Sequence, residues 1–491
     1  MVQKTVPDVT DHSAGNQINF MIMQYLKVVE TTPGTNPPLV ARWWFLFGCL
    51  VWNSYAVMDP KFPFVDGFEA TRCPLVPNAT ETQKWDIMLQ LLQACYAGLK
   101  ATELPNLPLI VLPPNTLPLN YVSNTFVPAV NAYLATRAQD GYNTTKPYTY
   151  PNQSSYIQVG TNTIQNLNID LPSPSTWAPL DTHYPDGSET KQKPVAPYYS
   201  EITNWLSPDE LTHMYEIAER YYPTSTIFQQ QEAAMVNLAA TLTEAEKLKA
   251  EIWAGTTRGL ASPPSKWMVF IALLIASNSM ELKETAAIVG GVTFSLFHAG
   301  ICAWGVKYKY MQPRPIQVLR RDYLGQQIVY PITGQLGNGG AWLPYQQSNI
   351  YTPGFPDYVS GHSTFSMAVA TFLQMLLGSD TIPIYSIIDI SYFQAIATMF
   401  DTTTEPSMLS NLTLPPKCSI VDPNLPTVPI DLNWTTWTGL AREVGISRVY
   451  GNIHWDNSNL GGLCIGQWVG TTMLKKINWD SLGLNIVILG K

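Results

Sequence analysis

The stretch Phe355–Phe365, FPDYVSGHSTF, sets Ser-Gly-His between an aromatic, proline-containing approach and a run of good helix formers. His362 is one of only six histidines in 491 residues. The pattern predicts a helix over 362–376 with Ser360 at its N-cap. A helix start carries free N–H groups and the positive end of the macrodipole. Gly361 lets a backbone N–H approach an oxygen with no Cβ in the way. A histidine in that place has a bound anion within reach.

Two further stretches share this character. In KYKYMQPRP, Lys307 is followed after six residues by Arg314 and Pro315. In SRVYGNIH, Ser447 and Arg448 are followed after five residues by His454. Each has a plain structural reading when taken singly. Lys307 and Arg314 can solvate the end of an apolar helix, Ser360 can be only a cap, and Arg448 can be a surface charge. Taken together they make an oxyanion site. Two guanidiniums supply planar forks, an ammonium supplies a point charge, and a hydroxyl and a helix N-terminus add donors. Two histidines then remain for the reactive axis, one to bond the central atom and one to move protons.

Composition sets the frame. The chain is 46% hydrophobic and 13% charged, well under the roughly 25% charge usual for soluble domains. That balance implies a large buried core and suits large subunit interfaces, so a homo-oligomer is expected. A formal net charge of -8, with no basic run, excludes nucleic acid and argues against an anionic membrane as partner. Thr285–Trp304 is twenty residues without a formal charge, long enough to span a bilayer. His298, two adjacent glycines and the lack of comparable neighbouring segments favour a helix buried inside a soluble helical protein. The N-terminus shows no apolar signal region. Six scattered cysteines without a CxxC read mostly as buried thiols, with Cys73 and Cys418 as the disulfide candidates.

The predicted organisation is mainly α, with helical bundles around a central anion site. Residues 1–103 read as N-terminal helices. Residues 104–207 read as an insertion rich in Pro, Asn and Thr, packed on the helical body. Residues 208–491 read as the helical domain carrying the motifs, in one continuous fold. SPDELTHMYEIAERYY opens a helix with Ser207 and Asp209 as capping residues, and Gly255 is the expected stop of the helix before it. A second Pro/Thr-rich excursion covers 400–435.

The order Lys-x6-Arg-Pro, Ser-Gly-His, Ser-Arg-x5-His resembles the superfamily of type-2 phosphatidic acid phosphatases and vanadium-dependent haloperoxidases, in its soluble haloperoxidase-like branch. The stretches VARWWFLFGCLVWNSYAVMDP, WGVKYKYMQPRPIQVLRR and TPGFPDYVSGHSTFS carry the resemblance over most of residues 40–480, with 104–200 weakest. It implies that Lys307, Arg314, Ser360, Gly361 and Arg448 hold the oxygens of vanadate, with phosphate able to occupy the same place. It implies that His454 is the axial ligand to the metal, or the nucleophile of a phosphatase, and that His362 is the acid–base residue. Trp304 and Phe355 would line a halide pocket of chloroperoxidase type; a bromoperoxidase-type site more often has histidine in place of Phe355. The implied reaction is oxidation of halide by hydrogen peroxide to hypohalous acid, with Lys307 polarising the oxidant and a small organic molecule as a possible acceptor. An acid phosphatase on the same frame is the second reading. A structural or assembly protein that has kept the fold is the third.

Two departures stand out. Val359 precedes Ser360 where the family usually has proline. More seriously, the family pattern places an aspartate four residues after the final histidine, where it orients the ring, and here that position is Ser458. Asp456 is the expected substitute, either orienting His454 from a shifted turn or capping the helix 458–475.

Overall fold

The computed structural model describes residues 14–73, 79–108, 120–142, 148, 158–159, 176–183, 189–218, 225–254, 262–278, 280–347, 351–383 and 411–484. The chain is mainly α. Its helices are α1 (Ala14–Thr31), α2 (Pro37–Ala56), α3 (Glu81–Thr102), α4 (Val127–Arg137), α5 (Pro208–Ile217), α6 (Thr226–Thr241) and α7 (Glu244–Ile252). There follow α8 (Pro263–Asn278), α9 (Leu282–Tyr310), α10 (Pro315–Asp322), α11 (Gly361–Leu377), α12 (Trp437–Tyr450) and α13 (Asp456–Lys476). Strands are few and short. β1 (Gln158–Val159) pairs parallel with β2 (Asp181–His183), which pairs antiparallel with β3 (Glu189–Lys191). β4 (Gln327–Val329) with β5 (Leu336–Asn338), and β6 (Asn411–Leu414) with β7 (Ile430–Asn433), are antiparallel pairs. The Pro/Asn/Thr-rich segments thus hold strands and short helices where described.

The long apolar helix lies at the centre. α9 runs 29 residues and is buried on every side from Leu282 to Lys307, apart from the half-screened Lys283. A helix apolar all round must be enclosed. Leu282–Asp322 holds, among the described residues, the one stretch apolar and long enough to cross a membrane, and its apolar window is wholly buried inside the protein. One apolar cluster runs from Ile18 of α1 through α2, α8, α9 and α11 to Leu482. A smaller one joins Phe228, Ile316, Trp342 and Trp455 around α10.

Polar ties fix the outer helices to this core. Arg42 of α2 donates to Asp140 at 2.8 Å and Glu103 at 2.9 Å, and Arg137 pairs with Asp66. Ser207 closes a capping box with Glu210 at the start of α5, and Asp209 sits in that first turn. Gly255 and the sequel of α7 lie outside the described residues. No disulfide joins any of the six cysteines. Cys73 and Cys418 are therefore not disulfide partners, and Cys464 is exposed rather than buried.

The contact that positions the site is between α11 and α13. Gly462, Gly466 and Gly470 recur every four residues, so they form one ridge. A Cβ on Gly462 would stand 2.6 Å from the Ser360 carbonyl oxygen and one on Gly466 2.5 Å from that of Thr364; Gly470 meets that of Ala368 in the same way. The two backbones touch, and the Ser360 N–H donates to the Ser458 carbonyl at 2.8 Å where the helices begin. Gly466→Ala gains up to about 1 kcal/mol of helix propensity but drives a methyl into fixed backbone, an overpacking of roughly 1–3 kcal/mol. A lower urea midpoint in Gly466→Ala is the expected outcome.

His298 gives a second test. It is fully buried, accepts from the Trp205 N–H at Nε2 (3.0 Å) and faces the Phe294 carbonyl through Nδ1 (2.8 Å). Burial holds it neutral, with its pKa pushed down from 6.5 to about 3. Below pH 6.5 the unfolded chain takes up a proton at this residue that the folded chain refuses until about pH 3. Its contribution to stability is therefore full above pH 6.5 and is lost as pH falls, at about 1.4 kcal/mol per pH unit. Urea midpoints at pH 7, 6 and 5 should fall less steeply in His298→Gln than in the parent chain.

Candidate functional site

Each motif ends where its helix ends, and the helix packing brings those ends together. Lys307 sits in the last turn of α9. Met311 closes that helix in the left-handed region (φ 52°), its N–H donating to the Lys307 carbonyl, and turns the chain toward Arg314. Arg314 is the N-cap of α10, with Pro315 preset for the first turn. Ser360 is the N-cap of α11 and accepts from the Ser363 N–H, so Gly361 opens the helix as its first residue. Arg448 lies in the last turn of α12. Asn452, also left-handed (φ 55°), bends the following loop so that His454 comes just before α13. The Trp455 indole N–H donates to the Pro313 carbonyl at 2.9 Å and fastens that loop beside Arg314.

Lys307, Arg314, Ser360, Gly361, Arg448 and His454 are buried, and His362 is half-buried. Lys307 and Arg314 are 0% exposed and Arg448 is 1% exposed, so none solvates a helix end. Lys307 Nζ donates to the carbonyls of Pro356 and Asp357, both at 2.9 Å. Arg314 donates from Nε to the Phe355 carbonyl (2.9 Å) and from Nη1 to the Ile453 carbonyl (2.7 Å) and His454 Nε2 (3.0 Å). Arg448 Nη1 donates to the Ala250 carbonyl at 2.7 Å. Phe355 is half-buried against Lys307 Nζ and the Arg314 guanidinium, each 4.9 Å from its ring centre, and Trp304 stands 5.1 Å from it. Gly361 packs on Trp304; a Cβ there would lie 3.3 Å from the indole.

The two histidines are polarised in opposite senses. His362 Nε2 is 2.8 Å from the Trp253 carbonyl, which can only accept, so Nε2 carries the hydrogen and Nδ1 keeps its lone pair. His454 Nδ1 is 2.7 Å from Asp357 Oδ1, while Nε2 faces the Arg314 N–H. Arg314 Nη1 also lies 3.4 Å from Nδ1, and Asp357 Oδ1, otherwise without a hydrogen-bond partner among the described residues, is the one acceptor beside the ring; that acceptor assigns the ring hydrogen to Nδ1 and leaves Nε2 the lone pair. Burial, then the neighbouring positive charges, hold both rings well below the usual histidine range.

Asp456 does not reach this cluster. It is exposed in the first turn of α13, whose N-cap is Trp455, so it neither caps the helix nor faces His454. The carboxylate beside His454 is Asp357, which sequence reasoning missed. Its other oxygen accepts from Ser458 Oγ and from Gln312 Nε2, the latter at 3.0 Å. The signal lay inside the opening stretch: an ionisable residue in apolar surroundings three positions before Ser360. Burial, opposed by Arg314 and Ser458, raises its pKa to about 6.

The charges do not balance without a ligand. Three cationic side chains surround one carboxylate. Burial drives Arg314 down to about 10 and Arg448, with Arg314 nearby, to about 9; Lys307 also falls well below its usual range. Arg314 Nη2 and Arg448 Nε are buried with no partner among the described residues. Orphaned cationic donors beside a helix N-terminus fit a tetrahedral or higher oxyanion such as phosphate or vanadate.

Residues 288–479 match the family described as VCPO second helical-bundle domain. The span takes in every predicted site residue. The whole chain shares its fold with solved vanadium-dependent haloperoxidases. Solved structures similar to the chain include an apo-type bacterial vanadium-dependent chloroperoxidase, at 14% identity and a TM-score of 0.68 over 92% of this chain and 96% of that one. The holo-type bacterial vanadium-dependent chloroperoxidase is similar at 15% identity and a TM-score of 0.65, covering 93% and 96%. A bacterial vanadium-dependent iodoperoxidase aligns at 15% identity and 0.56, covering 97% and 99%. No curated protein matches the sequence.

Removing one of the excess buried charges relieves desolvation while deleting a ligand donor. Arg448→Met is therefore expected to melt, without ligand, at the parent temperature or above. The parent should be stabilised by about 2.7 kcal/mol at phosphate or vanadate one hundredfold above Kd, and Arg448→Met should show little of that gain in the same thermal scan.

Proposed function

We propose that this chain is a vanadium-dependent haloperoxidase that oxidises halide with hydrogen peroxide to hypohalous acid. The observation that carries the reading is the pair of orphaned guanidinium nitrogens, Arg314 Nη2 and Arg448 Nε, buried on two side chains whose charges both act on His454. Vanadate, when bound, supplies a Lewis-acid centre that makes hydrogen peroxide electrophilic toward halide without itself changing oxidation state.

The chain's own groups do the rest. Lys307, Arg314 and Arg448 neutralise the oxyanion, and the Ser360 hydroxyl and Gly361 N–H add neutral donors. His454 Nε2 would be the protein's ligand to the metal. His362 Nδ1, left with its lone pair by the hydrogen bond from Nε2 to the Trp253 carbonyl, would move the oxidant's proton. Trp304 and Phe355 form an apolar wall beside Lys307 that suits a large, weakly hydrated halide. A soluble protein with hydrogen peroxide, halide and a small organic acceptor as partners follows from this reading, and the apolar content suits a homo-oligomer.

Peroxide-dependent halogenation of a phenolic acceptor, with chloride, bromide and iodide and with or without added vanadate, tests the proposal. His454→Ala should abolish turnover and weaken vanadate binding. His362→Ala should lose on the order of 10²–10⁴-fold in rate while keeping much of the vanadate. Unchanged turnover in His454→Ala overturns the assignment. Hydrolysis of a phosphomonoester without vanadate, and no halogenation with it, makes the chain a phosphatase with His454 as nucleophile.

A further inference from the structure

We propose that Asp357 is the positioning residue for His454, and that this chain has moved the ring-orienting carboxylate from position 458 to position 357. The inference rests on His454 presenting its Nε2 to the oxyanion, and it adds which group makes it do so. Asp357 is 0% exposed, with Oδ1 2.7 Å from His454 Nδ1. Its Oδ2 accepts from Ser458 Oγ and Gln312 Nε2, and Gln312 is held in turn by Asn457. The two hydrogen bonds hold Oδ2 and leave Oδ1, which has no other hydrogen-bond partner among the described residues, against the imidazole, with Arg314 Nη1 at 3.7 Å.

Positions 357 and 458 are neighbours in space. The glycine ridge of α13 seats the start of α11 against it, and the Ser360–Ser458 backbone bond locks the register. The Ser458 hydroxyl touches Asp357 Oδ2, so positions 357 and 458 share one buried place for a carboxylate. Two would stand at hydrogen-bond distance and could not both ionise. None would leave the Nδ1–H of His454 unpaired and free either ring nitrogen to carry the hydrogen. One aspartate and one serine satisfy the pocket in either arrangement: aspartate at 458, as in the family pattern, or aspartate at 357 with serine at 458, as here. The serine is then a donor that steadies the displaced carboxylate. Asp456, exposed on the same helix, has no part in this.

The test has two readouts besides turnover. With only six histidines in the chain, ¹⁵N-histidine labelling resolves His454 by its loss in His454→Gln. In the parent protein the His454 signal should be that of the Nδ1–H tautomer; an Nε2–H tautomer overturns the proposal. Titration calorimetry with inorganic phosphate and with vanadate supplies the second readout. Asp357→Asn should bind both roughly 10–100-fold more weakly and show mixed tautomers at His454. The exchange variant Asp357→Ser/Ser458→Asp should recover affinity to within about threefold, in line with a carboxylate restored to the same pocket. Asp456→Asn should match the parent. Parent-like affinity in Asp357→Asn, or an exchange variant no tighter than Asp357→Asn, overturns the proposal. If the parent binds neither anion, the functional reading fails, and the tautomer measurement still decides whether Asp357 sets the ring.

Discussion

Two helices whose backbones touch determine where everything else in this protein sits. The ridge Gly462, Gly466, Gly470 leaves no side-chain layer between α11 and α13. Their N-termini therefore begin side by side, and the Ser-Gly-His turn faces the loop that carries His454. A thicker contact would separate these starts by the width of a methyl group or more, and hydrogen bonds near 2.8 Å do not tolerate that. α9 completes the arrangement by running through the core and ending at Lys307, within reach of the carbonyls of Pro356 and Asp357.

Given that frame, the site is held open by an electrostatic conflict. Lys307, Arg314 and Arg448 are taken out of water with too little negative charge to match. Burying unpaired cations costs several kcal/mol each, and backbone carbonyls return only part of it. The protein supplies those carbonyls from segments that end nearby: Ala250 and Trp253 at the end of α7, Phe355, Pro356 and Asp357 before α11, Ile453 before α13. They direct the donors and leave Arg314 Nη2 and Arg448 Nε unsatisfied. A purely structural role gives no reason to keep such a cluster, because apolar residues of the same volume would stabilise the fold better. The opposed tautomers of His362 and His454 follow from the same economy. A carbonyl fixes one ring and a carboxylate the other, so each has a single nitrogen lone pair left to act.

The motifs were legible in the sequence because their chemistry is local. Lys307 and Arg314 are joined by a short turn, Ser360, Gly361 and His362 are contiguous, and Arg448 and His454 flank one bend. The helix over 361–377 and the long apolar helix from 282 were legible for the same reason: periodicity, caps and composition act over a few turns. What escaped was set by packing between distant segments. Asp456 was the natural substitute for a missing carboxylate by proximity along the chain, yet α13 begins at that residue and carries it out to solvent. Asp357 lies about a hundred positions away from Ser458 and reaches it only because α11 and α13 are in contact. Gly462, Gly466 and Gly470 recur at four-residue spacing, but spacing alone does not say that their partner is bare backbone. Cys73 and Cys418 attracted attention through polar surroundings, and a disulfide depends on a distance that local composition does not carry.

The stretch where the family resemblance is weakest still helps to shape the site. The carbonyl of Val195 accepts from the Trp304 indole N–H at 3.0 Å and from the Tyr308 hydroxyl at 2.9 Å. The Val195 N–H donates to the Gly354 carbonyl at 3.0 Å, next to Phe355, and Gln192 donates to the Thr352 carbonyl. Val195 therefore clamps the two aromatics of the apolar wall to each other through its backbone N–H and carbonyl, which place no demand on residue type, while Gln192 adds a side-chain tie. An indole whose N–H is satisfied from behind presents its face rather than its polar edge. The side chain at position 195 is free to drift while its backbone keeps Trp304 in place, which is how a region of weak sequence resemblance can hold a wall of the site in a fixed geometry.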